Sequence, residues 1–406
     1  MNTDRVESFA DHFTSHHLSR RWTLTAAAVA ALPAVAAGYE SRGKSVAALR
    51  VAQNTESATP ITGIDVPELA ELDRTMSELM GRWELPGGQL SVAKDGRLVH
   101  NRGYGLADKD RGEPVQPDAL FRIASVSKTI TAVAILALVD DGVLALDDKA
   151  FPLIDLEPPA NAPVDPRLAE VTIEHLLVHS GGWDSGATYD PQYMPWSGLA
   201  AHVIGAPQPS SGETIVRFML GQPLDFDPGT RSVYSNFGFN VLARVIERAS
   251  GQSYEAFTRT RVLTPAGIDT MSLARTRRED RAKGEVSYYG PSGQAPRWSV
   301  FPGEGFVAVG EGSYYLEALD GHGGWVGSAA DLARFATAVD GQRGEAILAR
   351  PPWRRCSVLL ARRPEKERPV RATKRLLSGW VGWQCRRSRV SSGRMPVHSK
   401  ARTPHG

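Results

Sequence analysis

Ser125 and Lys128 stand three positions apart in "FRIASVSKTITAVAILALVDDG", residues 121–142, at the head of a run with almost no polar side chain. On a helix, residues three apart share a face, with β-carbons about 5–6 Å apart, so Lys128 can reach the Ser125 hydroxyl without backbone strain. A serine hydroxyl is a weak nucleophile until a neighbour takes its proton. A lysine does so only when neutral, which needs its pKa brought from about 10.4 toward 7–8. Burial in an apolar helix disfavours the ammonium, and the positive end of the helix dipole repels it. That same helix end would favour an oxyanion. The plainer alternative makes Ser125 a helix cap and Lys128 a solvated first-turn residue, and spacing alone does not decide. Two other Ser-x-x-Lys matches show why. Ser41 and Lys44 lie in an aperiodic polar stretch with a glycine between them. Ser91 and Lys94 fall in a β-rich run, where residues three apart point to opposite faces.

Tyr234-Ser235-Asn236 is the only Tyr-x-Asn in the chain, set between a Pro228-Gly229 turn and an amphipathic run. A tyrosine, ordinarily near pKa 10, becomes a usable base beside a cation. Here too a structural alternative exists, with Tyr234 a buried aromatic and Asn236 a helix cap.

Together, "FRIASVSKTITA" and "YSNFGFNVLARVIERASG" resemble the serine β-lactamase and penicillin-binding-protein superfamily. Within it the sequence is similar to the class C β-lactamase-like branch of esterases, D-amino-acid peptidases and D-Ala-D-Ala carboxypeptidases. That branch has Tyr where class A enzymes have Ser at the start of the second motif. "LPGGQLSVAKDGRLVHNRGYGLAD", "VTIEHLLVHSGG" and "GHGGWVGSAADLARF" extend the resemblance over about residues 65–340. It implies Ser125 as acylated nucleophile and Lys128 as its proton acceptor or electrostatic partner. It implies Tyr234 as the relay that protonates the leaving group and then activates water, with Asn236 bonding substrate and Lys128. The substrate it implies is a small-molecule ester, a β-lactam or a peptidoglycan-type D-amino-acid amide, with no cofactor and no metal. The competing reading is an impaired or non-catalytic penicillin-binding-like protein.

One part of the family pattern is hard to find. A Lys/His-x-Gly strand should line the far side of the site and supply one of two oxyanion donors. Lys94-Asp95-Gly96 reads as a hairpin turn and His179-Ser180-Gly181 as a helix end, while His322-Gly323-Gly324 precedes a helix. The strand is therefore expected beyond residue 350, where neither period 2 nor period 3.6 can be followed. From Arg350 onward stand 13 Arg and 3 Lys against 2 Glu, a net +14, so the preceding 349 residues carry −12 of the chain's +2. Both cysteines, Cys356 and Cys385, lie there too, and no disulfide framework supports the main body. Such a shift is what out-of-frame translation of GC-rich DNA produces, and a frameshift near residues 343–355 is the reading adopted. The alternative is a basic tail for anionic envelope or nucleic acid, although no nucleic-acid partner is expected for the protein as a whole.

The elements that must position these residues begin with Asp65-Val66-Pro67-Glu68, which reads as a helix N-terminus with an Asp cap. Leu69, Leu72, Met76, Leu79 and Met80 then repeat at helical spacing. A hairpin turning at Asp95-Gly96 follows, then the apolar helix from Ser125 to about Asp141, expected to be central and buried. Helices are read at 173–178, 215–220 and 237–249, among long Pro-, Gly- and Trp-rich loops, and another begins after a cap at Ser328. The fold class expected is α+β, an antiparallel sheet flanked by helices with an inserted, mostly helical subdomain at about 145–300 and altered C-terminal strands.

At 42% hydrophobic and 23% charged residues, the composition excludes a disordered or fibrous chain. Residues 1–37 read as a twin-arginine export signal: Arg20 and Arg21 precede an apolar run from Leu24 to Ala37 with an Ala34-Val35-Ala36 cleavage pattern. That run is too short for a membrane span, and the expected location is outside the cytoplasm. An uncleaved Ala-rich helix is the alternative. The division expected is leader 1–37, linker 38–63, hydrolase domain 64–342 and basic tail 343–406. No Gly-x-Ser-x-Gly elbow occurs. His175 and His179 have a helical i, i+4 spacing that could bind zinc, though packing or capping suits His175 better. Trp183, Tyr193, Trp196 and Trp298 either wall a pocket over Ser125 or form a satellite core.

Overall fold

The structure, a computed structural model, describes residues 25–29, 59–291, 293–341 and 347–349. The chain divides into units Met1–Ala349 and Arg350–Gly406, and every described residue belongs to the first. The chain from Arg350 onward, with both cysteines and the stretch expected to hold the third motif, lies outside the described residues.

Strands and helices fall in separate runs, as an α+β fold requires. Strands β1 (Thr25–Val29) and β2 (Ile61–Gly63) precede helix α1 (Ala70–Trp83) and the hairpin of β3 (Gly87–Lys94) and β4 (Arg97–Asp108). All pairings in this sheet are antiparallel, in the order β1-β3-β4-β2, with β5 (Glu113–Pro114) also on β4. Asp95 and Gly96 take φ of 50° and 73°, the consecutive positive values a type I′ turn demands. The sheet and α1 share a core of Met76, Met80, Leu90, Val92 and Tyr104.

Asp65 does not cap the first helix. The chain makes a 3₁₀ turn at Pro67–Leu69 before α1 begins at Ala70, with no side-chain cap on either. The Asp65 carboxylate instead accepts a hydrogen bond from Arg102 Nη1 at 2.7 Å. Arg102 also binds the buried Asp73, which accepts from Tyr104 Oη as well. A guanidinium delivered by β4 forms a charge-assisted bond that a backbone N–H cannot match.

Beyond the sheet come β6 (Phe121–Arg122), α2 (Ser127–Asp140) and the helices α3 (Ala150–Ile154), α4 (Ile173–Leu177), α5 (Trp196–Ile204), α6 (Gly212–Leu220), α7 (Asn236–Ser250) and α8 (Tyr254–Thr258). The apolar α2 is central, with Ile130, Ala134 and Ile135 fully buried, and it packs against α7. Short strands β7 (Ser272–Leu273), β8 (Arg297–Trp298) and β9 (Phe306–Val307) lead to α9 (Asp320–Gly323), β10 (Trp325–Gly327) and α10 (Ala329–Val339). Ser328 caps α10 in a capping box with Asp331. No described helix is long and apolar enough to cross a membrane.

A second, small sheet has the order β6-β10-β7. Arg122 pairs with Val326 and Phe121 with Gly327, antiparallel. The chain leaves β6 toward Ser125 and enters β10 from His322, so this register brings the Ser125 turn beside α9.

Candidate active site

Ser125 lies in a 3₁₀ turn, Ala124–Val126, that feeds α2. Ala124 is in the left-handed region at φ 46°, an uncommon conformation for a residue with a β-carbon, and Ser125 itself is exposed. Lys128, one turn on, is 6% exposed. Its Nζ donates to Asn236 Oδ1 at 2.8 Å, to the His322 carbonyl at 2.7 Å and to Ser125 Oγ at 3.4 Å. From the other side Tyr234 Oη donates to Ser125 Oγ at 2.7 Å. The fold thus brings all four sequence-derived residues together.

Three local devices hold this group. Ser235, not Asn236, caps α7, its hydroxyl accepting from the Gly238 N–H at 3.2 Å, which leaves the Asn236 amide for Lys128 and Asp190. The His179 ring lies against Tyr234, centroids 4.8 Å apart, and its Nδ1 accepts from the Ser235 N–H at 3.2 Å. Gly321 lets α9 press onto α7: a β-carbon there would sit 2.5 Å from the Phe239 carbonyl oxygen. That close approach carries the His322 carbonyl to Lys128.

Burial brings the Lys128 pKa down to about 7, while the Asp190 carboxylate acts in the opposite sense. Desolvation is the dominant cause. At neutral pH a large share of Lys128 is unprotonated and can accept a proton. Tyr234 moves the other way from the sequence expectation. Burial raises its pKa and Asp190 adds to the rise, against the opposing hydrogen bond with Ser125. The cation lies 4.8 Å from the Tyr234 ring centroid, but desolvation of the phenolate wins. Tyr234 is therefore a resting phenol that donates a proton. Burial, with Lys128 nearby, lowers His179 to about 4, so its ring is neutral.

The zinc spacing of His175 and His179 does not survive the fold. Helix α4 ends at Leu177, and His179 sits beyond it at φ 59°. His175 Nδ1 accepts from the Thr172 N–H and completes a capping box. Among the described residues no three His, Cys, Asp or Glu side chains gather as a metal site.

The aromatic loop residues divide. Trp183, packed on Phe237, helps line a cavity of about 140 Å³ that also touches Tyr189, Asp190 and Asn236. Trp196 stacks on Tyr189 outside that lining, Tyr193 meets Tyr314 edge-on, and Trp298 stacks on Phe306.

Sequence reasoning missed Asp190, whose Oδ2 accepts from Asn236 Nδ2 at 2.7 Å, and the His322 carbonyl on Lys128. A carbonyl has no signature in sequence, and Asp190 reaches the site from a loop with no helical or strand period.

The sequence model of the family described as Beta-lactamase matches residues 72–388, running on past Arg350. Penicillin-binding protein 4* of Bacillus subtilis is 29% identical over 272 residues, covering 66% of this chain and 55% of that protein. Esterase EstB of Burkholderia gladioli is 35% identical over 210 residues, covering 49% of this chain and 50% of that protein. The chain spans about half the length of these curated relatives. Among solved structures, EstCE1, a hydrolase with promiscuous acyltransferase activity, aligns with a TM-score of 0.51 at 22% identity. That alignment covers 70% of this chain and 74% of EstCE1, a likeness of fold. With a family match over most of its length, the chain belongs to the Beta-lactamase family, on the class C-like branch of the serine β-lactamase and penicillin-binding-protein superfamily.

Proposed function

We propose that this protein is a serine hydrolase that forms an acyl-enzyme on Ser125. The observation that carries this reading is the convergence of Lys128 Nζ and Tyr234 Oη on the one exposed Ser125 Oγ. In the proposed cycle Oγ bonds to the substrate carbonyl carbon while neutral Lys128 takes its proton. Tyr234 gives its proton to the departing oxygen or nitrogen as the C–O or C–N bond breaks. The phenolate left behind faces the new Lys128 ammonium, which stabilises it. Water then attacks the acyl carbon and gives a proton to Tyr234, while Oγ leaves with the proton held by Lys128. Both partners return to their starting states.

Family membership and the names of its relatives support an ester or a β-lactam as substrate, and a D-amino-acid amide is the further class that the sequence resemblance implies. Labelling with a fluorophosphonate, with the adduct located by mass spectrometry, tests the nucleophile. Label on Ser125 that disappears in Ser125→Ala supports the reading, and folded protein that takes none overturns it. p-Nitrophenyl esters, nitrocefin and D-Ala-p-nitroanilide then separate the substrate classes.

The second reading, a non-catalytic penicillin-binding-like protein, turns on the Lys/His-x-Gly strand, which is expected beyond residue 350 and so outside the described residues. Among the described residues, no Lys/His-x-Gly stretch lies on a strand facing Ser125. Lys94 to Gly96 turns the β3–β4 hairpin, His179 follows α4, and His322 belongs to α9. A missing oxyanion donor costs about 2.7–4 kcal/mol of transition-state stabilisation. Resequencing the gene across codons 343–355 tests the frameshift on which that reading leans. The leader is proposed to direct export by the twin-arginine route, and N-terminal sequencing of the secreted protein checks cleavage after Ala36.

A further inference from the structure

Tyr234 reaches Ser125 from residues 229–235, a segment outside any helix or strand. That segment lies along the turn that follows α4. The Gly229 N–H donates to the Ser180 carbonyl at 2.8 Å, and Ser232 Oγ donates to the Val178 carbonyl at 2.7 Å. The Val233 N–H donates to the His179 carbonyl at 2.8 Å, and the Ser235 N–H donates to His179 Nδ1 at 3.2 Å. The backbone N–H groups on either side of Tyr234 thus end on one residue, the first on its main chain and the second on its ring. The same ring packs against Tyr234 and against Phe239 of α7, with centroids 4.8 and 5.2 Å apart.

His179 sits at φ 59°, a left-handed conformation that asparagine and glycine adopt more readily than other residues. In that turn its carbonyl and its ring face the same passing segment. A ring that accepts at Nδ1 is neutral and carries its proton on Nε2. Burial, with Lys128 nearby, holds the pKa at about 4 and so keeps the acceptor available at neutral pH. The Tyr234 Oη to Ser125 Oγ distance is 2.7 Å, and a phenol displaced by 1 Å would leave hydrogen-bond range.

We propose that His179 is the positioning residue for the proton donor, bracing residues 233–235 so that the Tyr234 phenol meets Ser125 Oγ and the leaving group. The proposal rests on the serine-hydrolase reading, in which Tyr234 supplies the leaving-group proton. In this role His179 moves no proton and acts through Tyr234.

The test uses two variants suited to the left-handed backbone. His179→Gly removes ring and acceptor without backbone strain, and His179→Asn restores a side-chain acceptor. The substrates are the ethyl and p-nitrophenyl esters of one acid, since an ethoxide needs a proton to leave and a p-nitrophenolate does not. His179→Gly should lower kcat/KM for the ethyl ester by roughly 10–100-fold, as a misplaced donor would, and for the p-nitrophenyl ester by much less. His179→Asn should recover most of that difference. In a Tyr234→Phe background, His179→Gly should cost the ethyl ester no more than about twofold, because the group it positions is gone.

A residue that supports the fold alone would lower both esters alike and add its full loss to that of Tyr234→Phe. Either result overturns the proposal, as does a His179→Asn variant no better than His179→Gly. Thermal denaturation checks that each variant folds. Should His179→Gly fail to fold, the ratio of the two esters in His179→Asn decides: near the wild-type value it supports the brace, and at the Tyr234→Phe value it rejects it. Fluorophosphonate label on wild-type Ser125 leaves the hydrolase reading standing if the brace fails, and its absence rejects that reading instead.

Discussion

Lys128 Nζ donates to the carbonyl oxygen of His322 at 2.7 Å, across 194 positions of sequence. This contact decides where the amine points. With Asn236 Oδ1 on another side, it aims Nζ at Ser125 Oγ. Two partners are neutral oxygens, so the ammonium is bonded without a paired anion, and burial is free to depress its pKa.

A rising limb in the pH dependence of Ser125 acylation follows, with its midpoint at about 7, where Lys128 loses its proton. Lys128→Arg keeps a cation that cannot deprotonate, and should lower the acylation rate by roughly 10²–10⁴-fold and erase the limb. Stopped-flow labelling from pH 5 to 9 measures both. A limb that persists in the variant would assign it to another group.

The same depressed pKa makes a stability prediction. Between about 7 and 10.5 the unfolded chain holds a proton on this lysine that the folded chain does not, so stability rises with pH across that window. Below about 7 both states are protonated and the full penalty applies. Lys128→Met should remove a slope worth on the order of a few kcal/mol. Urea titrations of both chains at pH 6.5 and 10 would detect it, and parallel slopes would contradict the assignment.

Tyr234→Phe removes the phenol that donates to Ser125 at 2.7 Å. Because burial keeps that phenol protonated, the loss should depend on how badly the leaving group needs a proton. Roughly 10²–10⁴-fold is expected for an anilide, and less for a p-nitrophenyl ester, whose leaving group departs as an anion. Equal losses on the two substrates would argue against proton donation.

Gly321→Val places a β-carbon 2.5 Å from the Phe239 carbonyl oxygen and 2.7 Å from Ala243 Cβ. Helix α9 must move off α7, at a cost of about 1–3 kcal/mol, and the His322 carbonyl moves with it. Thermal denaturation reads the stability. The acylation limb should shift from 7 as Lys128 exchanges a carbonyl for water. An unaltered midpoint in a folded variant would show that the carbonyl does not set the amine's environment.

Strand β1, Thr25–Val29, pairs with β3 from Thr25–Ala93 to Val29–Gln89 and lies inside the proposed export signal. The segment cannot be both a sheet member and a cleaved leader in the same mature protein. A chain beginning at residue 37 should melt below the full chain because β3 loses an edge partner, and scanning calorimetry on the two decides. Identical transitions would mean that β1 contributes nothing to the sheet.

What the sequence determined by itself was local. The Asp95-Gly96 turn, the Ser328 cap, the buried and largely apolar α2 and the i, i+3 placement of Ser125 and Lys128 follow from backbone periods and turn chemistry that neighbouring residues set. Tyr-x-Asn and Ser-x-x-Lys marked the family because they lie in helix contexts a reader can recognise. Where local grammar met a distant partner it failed. Asp65 left its cap position for Arg102 of β4, and His179 left the helical repeat for a left-handed turn against Tyr234. Only the tertiary structure decided the electrostatics. Lys128 falls to about 7 and Tyr234 rises because desolvation depends on segments that pack from far along the chain. Asp190 and the His322 carbonyl enter the site for the same reason. The register of β6 on β10 and the packing of α9 on α7 bring the His322 carbonyl within hydrogen-bond reach of Lys128, Asp190 arrives on a separate loop, and no sequence period records either approach.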